Sequence, residues 1–223
     1  MKALVFDLDG TLVDTKHDML DAGNLVFESQ GWETRLTGFS GLQTAIQGGR
    51  AILRYGLRKE GLDFDDNLLK DYYQLFLSNY DKVLDNKSVV YDGVTDTLSH
   101  LQSMGVKLGL CTNKPEKQAR ELLKRLGLID FLKTSFIGSD TVGVAKPDPK
   151  PLLEAIERLG ENPKDIFFVG DTNTDEGAAK NANVDFVFCE YGHGFVYKLA
   201  MGETAVFKIS NFNDLINISK DKS

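Results

Sequence analysis

The chain contains 223 residues, of which 42% are hydrophobic and 26% are charged, and its formal net charge at pH 7 is -7. This length is enough for one well-formed core and a smaller second unit, and the composition is ordinary for a globular protein. The acidic balance disfavours a general nucleic-acid binder, which needs basic surface to meet phosphates. No apolar run approaches the roughly 20 residues of a membrane span, and Asp7 interrupts the N-terminal apolar run. We therefore expect a cytoplasmic protein with no signal peptide, no membrane partner and no nucleic-acid partner.

The first predicted strand ends in a pair of carboxylates. The apolar run Ala3–Phe6 is too short for a helix and has the character of a buried strand. Asp7 and Asp9 follow it two residues apart, so both would point to one face if the strand conformation persisted. Gly10 then allows the chain to leave the strand. This arrangement places two acids at the carboxyl end of a strand, where open α/β sheets keep their active sites.

The next block, residues 15–84, shows helical periodicity without a convincing strand. Thr15-Lys16-His17-Asp18 matches a capping box, which predicts a helix from there towards Gly31. A second helix is predicted around Thr44 to Leu57, through Gly48-Gly49, although these glycines could instead mark a break. A third is predicted from Asp66. Its apolar and aromatic residues recur at helical spacing and predict the core of this block: Leu69, Tyr72, Tyr73, Phe76 and Tyr80.

From Tyr91 onwards, predicted strands and helices alternate. The strands are expected at 106–111, 134–137, 166–169, 186–189 and 206–209. The helices are expected at 94–104, 115–126, from 149 or 151 to 160, after 171, and over 215–216. This alternation predicts the α/β class, with a parallel sheet covered on both faces. Cys111 and Cys189 end two of the apolar runs, and we expect both to be buried free thiols.

Four motifs occur in the order typical of one enzyme family. They are Asp7-Leu8-Asp9-Gly10-Thr11-Leu12, Thr112-Asn113, Lys146-Pro147, and Gly170-Asp171-Thr172 with Asp175. Together they resemble the motifs of the haloacid dehalogenase (HAD) superfamily. The resemblance implies a three-layer, Rossmann-like core formed by residues 1–14 and 85–223. It also implies that residues 15–84 form a helical cap inserted behind the first motif.

The resemblance implies a division of labour among the acidic residues. Asp7 would be the nucleophile that attacks a phosphate monoester and forms an aspartyl-phosphate. Asp9 would be the general acid and base, which requires a site that keeps it protonated when it acts as the acid. Mg²⁺ would be held by the Asp7 carboxylate, the Asp9 backbone carbonyl and the Asp171 carboxylate. Asp175 would hold a metal-bound water.

The phosphate-binding residues follow from the other two motifs. Lys146 would offset charge on the transferred phosphoryl group, and the adjacent prolines would stiffen its loop. The Thr112 hydroxyl and a backbone N–H at Asn113 could bind phosphate oxygens. For Asn113, capping of the strand end is an equally open interpretation.

The function that this resemblance implies is a Mg²⁺-dependent phosphatase acting on a small phosphorylated metabolite, similar to phosphoglycolate phosphatases, as a monomer or homodimer. Two alternatives stay open: a β-phosphoglucomutase-like mutase and a non-catalytic binding protein. The mutase branch carries a cap histidine where this chain has Met19, with His17 two residues early. No motif assigns the substrate-reading residues, for which the cationic candidates are Arg35, Arg50 and Arg54. The sequence assigns no role to His193 in the loop Tyr191–Gly194.

Overall fold

The computed structural model describes residues 2–198, 200 and 202–221. The chain divides into two compact units, one formed by Met1–Asp14 with Val90–Ser223 and the other by Thr15–Val89. The second unit begins at the residue where the cap is predicted to begin, and it extends past the predicted end at residue 84. The role of this unit as a cap stays a prediction.

The first unit is built on a six-stranded sheet. Elements are numbered in chain order, and the strands of the chain are β1 (Ala3–Phe6), β2 (Val13–Asp14), β3 (Val89–Val90), β4 (Lys107–Cys111), β5 (Ser135–Ile137), β6 (Ile166–Gly170), β7 (Asp185–Cys189) and β8 (Phe207–Ile209). The six-stranded sheet has the order β5-β4-β1-β6-β7-β8, and its pairs are parallel. The predicted α/β class is confirmed.

The central position of β1 sets where the first motif emerges. Ala3 pairs with Lys107 on one side and with Ile166 on the other, and every residue of β1 is fully buried. Ala3 and Val5 belong to a core cluster with residues of the covering helices, whereas the Phe6 ring packs 5.6 Å from that of Phe212. Because both faces of β1 are covered, its polar continuation can appear only at the strand end.

The second unit contains four helices, which are α1 (Lys16–Ser29), α2 (Gly38–Ala45), α3 (Gly49–Lys59) and α4 (Asp66–Val83). The single helix predicted from Thr44 to Leu57 is wrong, because the chain breaks at Gly48, whose φ is 92°. Gly49 then opens α3, and a Cβ there would lie 2.5 Å from the Phe76 ring. The predicted core of α4 is confirmed for Leu69, Phe76 and Tyr80, which are buried, whereas Tyr72 and Tyr73 are only half-buried.

The helices of the first unit follow the predicted alternation with the strands. They are α5 (Val94–Ser103), α6 (Glu116–Arg125), α7 (Ile129–Leu132), α8 (Lys150–Leu159), α9 (Asn173–Ala182), α10 (His193–Val196) and α11 (Leu215–Asp221). The predicted burial of two free thiols, Cys111 and Cys189, is confirmed. Within the described residues, none of the helices is long and apolar enough to cross a bilayer.

A buried carboxylate ties the two ends of the helical unit together. The predicted capping box assigned Asp18 to the start of α1, but its carboxylate instead accepts hydrogen bonds from the end of the unit. The donors are the backbone N–H of Lys87 (2.9 Å), the backbone N–H of Ser88 (2.7 Å) and the Ser88 hydroxyl (2.6 Å). Asp18 is fully buried. Two backbone donors would therefore lose this partner if the carboxylate were removed, and the Ser88 hydroxyl would keep only its 3.3 Å contact with the Leu84 carbonyl.

Asp18→Ala should lower the free energy of unfolding by about 3 kcal/mol, because buried donors left unpaired carry their full desolvation cost. The matched control is Asp21→Ala on the same helix, which removes only an exposed ion pair with Lys87 and should cost less than about 1 kcal/mol. Urea unfolding of both variants measures the difference. Equal destabilisation by the two substitutions would contradict a clamp at Asp18.

Candidate active site

Polar side chains collect at the carboxyl edge of the six-stranded sheet. Asp7 directly follows β1, and its N–H still donates to the Val169 carbonyl of β6 at 2.9 Å. Thr112 directly follows β4, and its N–H donates to the Ile137 carbonyl of β5. Asp171 directly follows β6. The ends of adjacent parallel strands thus bring three of the four motifs to one edge, the edge at which open α/β sheets bind ligands.

Lys146 contributes the fourth motif and lies at the centre of this group. Its Nζ donates to Asp7 Oδ1 (2.8 Å), Asp175 Oδ1 (2.6 Å) and the Cys111 carbonyl (2.8 Å). Only 2% of its side chain is exposed. Burial by itself would lower the pKa of this lysine, but the charges of Asp175 and Asp7 outweigh burial and raise it. Lys146 is therefore a permanent cation within the site.

Three carboxylates surround this ammonium. One ligand oxygen from each of Asp7, Asp171 and Asp175 lies within 4.8 Å of the other two, and all three residues are buried. Burial, together with the charge of Asp175, raises the pKa of Asp7 to about 7 despite the opposing effect of Lys146. Burial and the charges of Asp175 and Asp7 likewise raise the pKa of Asp171 well above its usual range. The single positive charge of Lys146 does not balance the charges of the three carboxylates when they are ionised.

The donor set fits a hard divalent cation, which prefers oxygen ligands and favours ionised carboxylates. Asp175 is already engaged on both oxygens, because Oδ1 meets Lys146 and Oδ2 accepts from the Thr172 N–H and hydroxyl. These last contacts form a capping box that starts α9. Both oxygens of Asp171 likewise accept hydrogen bonds, from the Thr11 hydroxyl and the Gly194 N–H. Asp7 and Asp171 as the carboxylates that would hold Mg²⁺ stay predictions, and Asp175 contacts the site through Lys146. The Asp9 carbonyl as a ligand stays a prediction.

The loop Tyr191–Gly194, in which the sequence assigned no role to His193, fixes the position of Asp171. The Gly194 N–H donates to Asp171 Oδ2 at 3.0 Å, and a Cβ at Gly192 or Gly194 would overlap Asp171. A Cβ at Gly10, whose φ is 86°, would overlap the Asp171 carboxylate from the other side. The Tyr191 hydroxyl donates to the Thr11 carbonyl at 3.0 Å, which joins the loop to the first motif. The signal in the sequence was the pair of glycines that follows β7.

Asp9 lies apart from the buried carboxylates and has a different partner. Its two oxygens accept from Lys114 Nζ at 2.8 and 3.0 Å, and 28% of its side chain is exposed against 3% for Lys114. Sequence reasoning missed Lys114, although it directly follows Thr112-Asn113 at the end of β4. If the four carboxylates at this edge, Asp7, Asp9, Asp171 and Asp175, were all ionised, the two ammonium groups would leave two of their negative charges unbalanced. A divalent cation would balance that charge.

Thr112 and Asn113 make contacts that hold the two lysines in place. The Thr112 hydroxyl accepts from the Lys114 N–H at 3.2 Å. The Asn113 amide donates to the Lys146 carbonyl at 3.0 Å and accepts from the Lys146 N–H at 2.9 Å, so it brackets the lysine loop. Because both polar atoms of the Asn113 side chain contact Lys146, a hydrogen bond from Asn113 to phosphate would come from its backbone N–H. The predicted phosphate-binding roles of Thr112, Asn113 and Lys146 stay predictions.

Three of the remaining candidates, Arg35, Arg50 and His193, have partners within their own units. The Arg50 guanidinium lies 4.6 Å from the centre of the Tyr73 ring, and Arg35 donates to the Trp32 and Thr34 carbonyls. His193 Nε2 lies 2.9 Å from Asp14 Oδ1. His17 and Arg54 are exposed. These contacts account for the positions of Arg35, Arg50 and His193 without assigning any of them to a substrate.

The family model of haloacid dehalogenase-like hydrolases matches residues 1–183. The chain belongs to this family. The hydrolase is also similar to curated phosphoglycolate phosphatases: it is 36% identical to that of Rhodospirillum rubrum over 92% of this chain and 86% of the relative. It is 32% identical to that of Salmonella typhimurium over 97% and 91%, respectively. The predicted family is confirmed.

Solved structures of related proteins share the fold of this hydrolase. One from Haemophilus somnus, described as a predicted phosphoglycolate phosphatase, has a TM-score of 0.82 at 24% identity and covers 98% of both chains. Another from Thermotoga maritima, named provisionally as a β-phosphoglucomutase, has a TM-score of 0.75 at 25% identity and covers 99% of both chains. Because proteins of this fold carry both names, the fold alone does not distinguish a phosphatase from a mutase.

The raised pKa of Asp7 couples the stability of the metal-free hydrolase to pH. Its carboxyl keeps a proton up to about pH 7 in the folded state, whereas the ordinary value is 3.8. The folded state therefore binds more protons, and this group's contribution to the free energy of unfolding falls as pH rises from about 4 to 7. Asp7→Asn should show a smaller decline than wild type in urea unfolding at a series of pH values, because Asp171, whose pKa is also raised, keeps its own contribution. Asp130→Asn, at an exposed carboxylate, should keep the wild-type dependence, and a decline in Asp7→Asn equal to that of wild type would contradict the assignment.

Proposed function

We propose that this hydrolase is a Mg²⁺-dependent phosphatase that cleaves a small, phosphoglycolate-like phosphate ester through an aspartyl-phosphate on Asp7. The observation that carries the proposal is the buried contact of Lys146 with both Asp7 and Asp175 beside Asp171. A site that only bound phosphate would gain from cations alone, whereas this one buries three carboxylates where the anion would arrive. Such a site suits a carboxylate nucleophile assisted by a cation. The predicted enzyme class, a phosphoric monoester hydrolase, is confirmed by the family and its relatives.

The first step would transfer the phosphoryl group from the substrate to Asp7. Two unit charges of like sign at about 4 Å repel by roughly 4 kcal/mol at an effective dielectric of 20, so an approaching phosphate needs nearby positive charge. Asp7 and Asp171 would hold Mg²⁺, which would supply part of that charge, and the Lys146 ammonium supplies more. The Asp7 oxygen forms the new bond to phosphorus while the ester oxygen leaves with the proton that Asp9 donates.

The second step would release phosphate and regenerate Asp7. Asp9, now ionised, takes a proton from the attacking water, whose oxygen bonds to phosphorus while the bond to the Asp7 oxygen breaks. The partial exposure of Asp9 suits this exchange, because the group must meet both an alcohol and a water. Lys146 keeps the Asp7 carboxylate in place through both steps. The Thr112 hydroxyl and the Asn113 N–H are the proposed contacts to phosphate oxygens.

The proposed substrate is a small phosphorylated metabolite similar to phosphoglycolate. It is supported by two relatives named for phosphoglycolate that align over 86% and 91% of their own lengths. The mutase alternative lacks support at the position where that branch carries a histidine, which is Met19 here, and the nearby His17 is exposed. The cytoplasmic location and the monomeric or homodimeric state stay predictions.

A screen of phosphorylated metabolites with and without Mg²⁺ tests the proposed reaction. We expect release of inorganic phosphate from 2-phosphoglycolate that depends on Mg²⁺ and stops in excess EDTA, because the carboxylates otherwise repel the substrate. Full turnover in EDTA would reject the metal assignment. Isomerisation of a sugar phosphate without net phosphate release would favour the mutase.

Asp7→Asn and Asp9→Asn should fail in different ways. Asp7→Asn removes the nucleophile, so turnover should vanish. Asp9→Asn keeps the nucleophile but loses the acid and base, so turnover of an alkyl phosphate should fall by about 10²–10⁴-fold. With an activated aryl phosphate, phosphoenzyme should accumulate in Asp9→Asn as a mass increase on Asp7. Wild-type turnover of an alkyl phosphate by Asp9→Asn would contradict the role of Asp9.

A further inference from the structure

The two proposed steps assign no role to the pairing of Lys114 with Asp9. Lys114 and Lys146 are the lysines that the described part of the chain buries. Burial of an ammonium is costly unless it is paired and hydrogen-bonded. The position of Lys146 is explained by Asp7 and Asp175, whereas Lys114 directs its ammonium at both oxygens of Asp9. The site therefore uses a second buried cation on a carboxylate that lies outside the buried cluster.

The main chain fixes Lys114 independently of Asp9. The Lys114 N–H donates to the Thr112 hydroxyl at 3.2 Å, and the Lys114 carbonyl accepts from the Ser139 N–H at 3.1 Å. Pro115 follows directly and is the N-cap of α6, which restricts the chain further. The ammonium is thus presented from a segment anchored to the ends of β4 and β5. Its location is a property of the core and not of the carboxylate that it meets.

We propose that Lys114 is a positioning residue for Asp9, an inference that rests on the proposed function. Contacts from Nζ to both oxygens restrict rotation of the carboxylate about its terminal bond, which is otherwise a soft torsion. Asp9 must meet the ester oxygen in one step and the attacking water in the next, and both transfers need hydrogen-bond geometry. With one Asp9 oxygen held by the Lys114 ammonium, the other oxygen is directed at the ester oxygen in the first step and at the water in the second.

This role makes the effect of Lys114 depend on the leaving group. A small displacement of a catalytic group can cost about 100-fold in rate, but only in a step that uses the group. Cleavage of an alkyl phosphate needs a proton from Asp9, whereas release of p-nitrophenolate barely does. Hydrolysis of the phosphoenzyme needs Asp9 as base with either substrate. Phosphate binding does not involve Asp9, so KM should change little.

Lys114→Met tests the proposal in the full-length protein with Mg²⁺ present. On 2-phosphoglycolate, kcat should fall about 10–100-fold with KM nearly unchanged. On p-nitrophenyl phosphate, the burst of p-nitrophenol should keep its wild-type rate while the steady-state rate falls. Lys114→Arg should recover part of the loss, because a guanidinium can also bridge two carboxylate oxygens. Lys117→Met, at an exposed lysine on α6, should behave as wild type.

The combination with Asp9→Asn distinguishes action through Asp9 from an independent role. If Lys114 acts through Asp9, Lys114→Met should cause no further loss of turnover in the Asp9→Asn background. An undiminished loss in that background would overturn the proposal. So would a large rise in KM for 2-phosphoglycolate with unchanged kcat, which would identify Lys114 as a contact for the substrate carboxylate. Should Lys114→Met not fold, Lys114→Arg and Lys114→Gln provide the same comparison.

The outcome for wild type separates this inference from the proposed function. A wild-type protein that releases no phosphate from either substrate would overturn both. If the wild-type protein releases phosphate and Lys114→Met has the wild-type kcat on 2-phosphoglycolate, only the positioning role is overturned. In that case Asp9 would hold its orientation without the ammonium.

Discussion

The Lys146 ammonium between Asp7 and Asp175 is the interaction on which the site depends. All three groups are buried, and removal of any one would leave uncompensated charge away from water. The arrangement is stable because the two carboxylates together raise the pKa of the lysine more than burial lowers it. Burial and the charge of Asp175 oppose ionisation of Asp7 and raise its pKa to about 7. A carboxylate held in that state readily exchanges its proton for a metal ion.

The surrounding fold supports this interaction from several directions. The Asn113 amide brackets the backbone of Lys146, and the capping box at the start of α9 fixes Asp175. The glycines of the loop Tyr191–Gly194 allow it to pack directly on Asp171. Each support comes from a loop that follows a strand or from the start of a helix. The rigid sheet positions those loops, so the geometry of the site is largely determined before any substrate binds.

Two lysines divide the acidic residues between two tasks. Lys146 serves the buried group that would receive the phosphoryl transfer, whereas Lys114 serves the partly exposed Asp9 that would move protons. The separation has a physical reason. The nucleophile gains from burial, which excludes water as a competitor, while the acid and base must reach a water molecule in the second step. The exposure of the two carboxylates, 9% for Asp7 and 28% for Asp9, follows this division.

The sequence by itself determined the α/β class, the parallel sheet, the helical block and the motif residues at the strand ends. These features depend on local periodicity and on residue types at short spacing, both of which are visible along the chain. Tertiary structure decided that Asp18 binds Ser88, that Asn113 brackets Lys146 and that Lys114 meets Asp9. In the last pair the residues are 105 positions apart. Such contacts arise only when the sheet brings distant strand ends together, and no local pattern encodes which side chains then meet. For the same reason, the sequence left open whether the chain breaks at Gly48, since the Phe76 ring against Gly49 belongs to another helix.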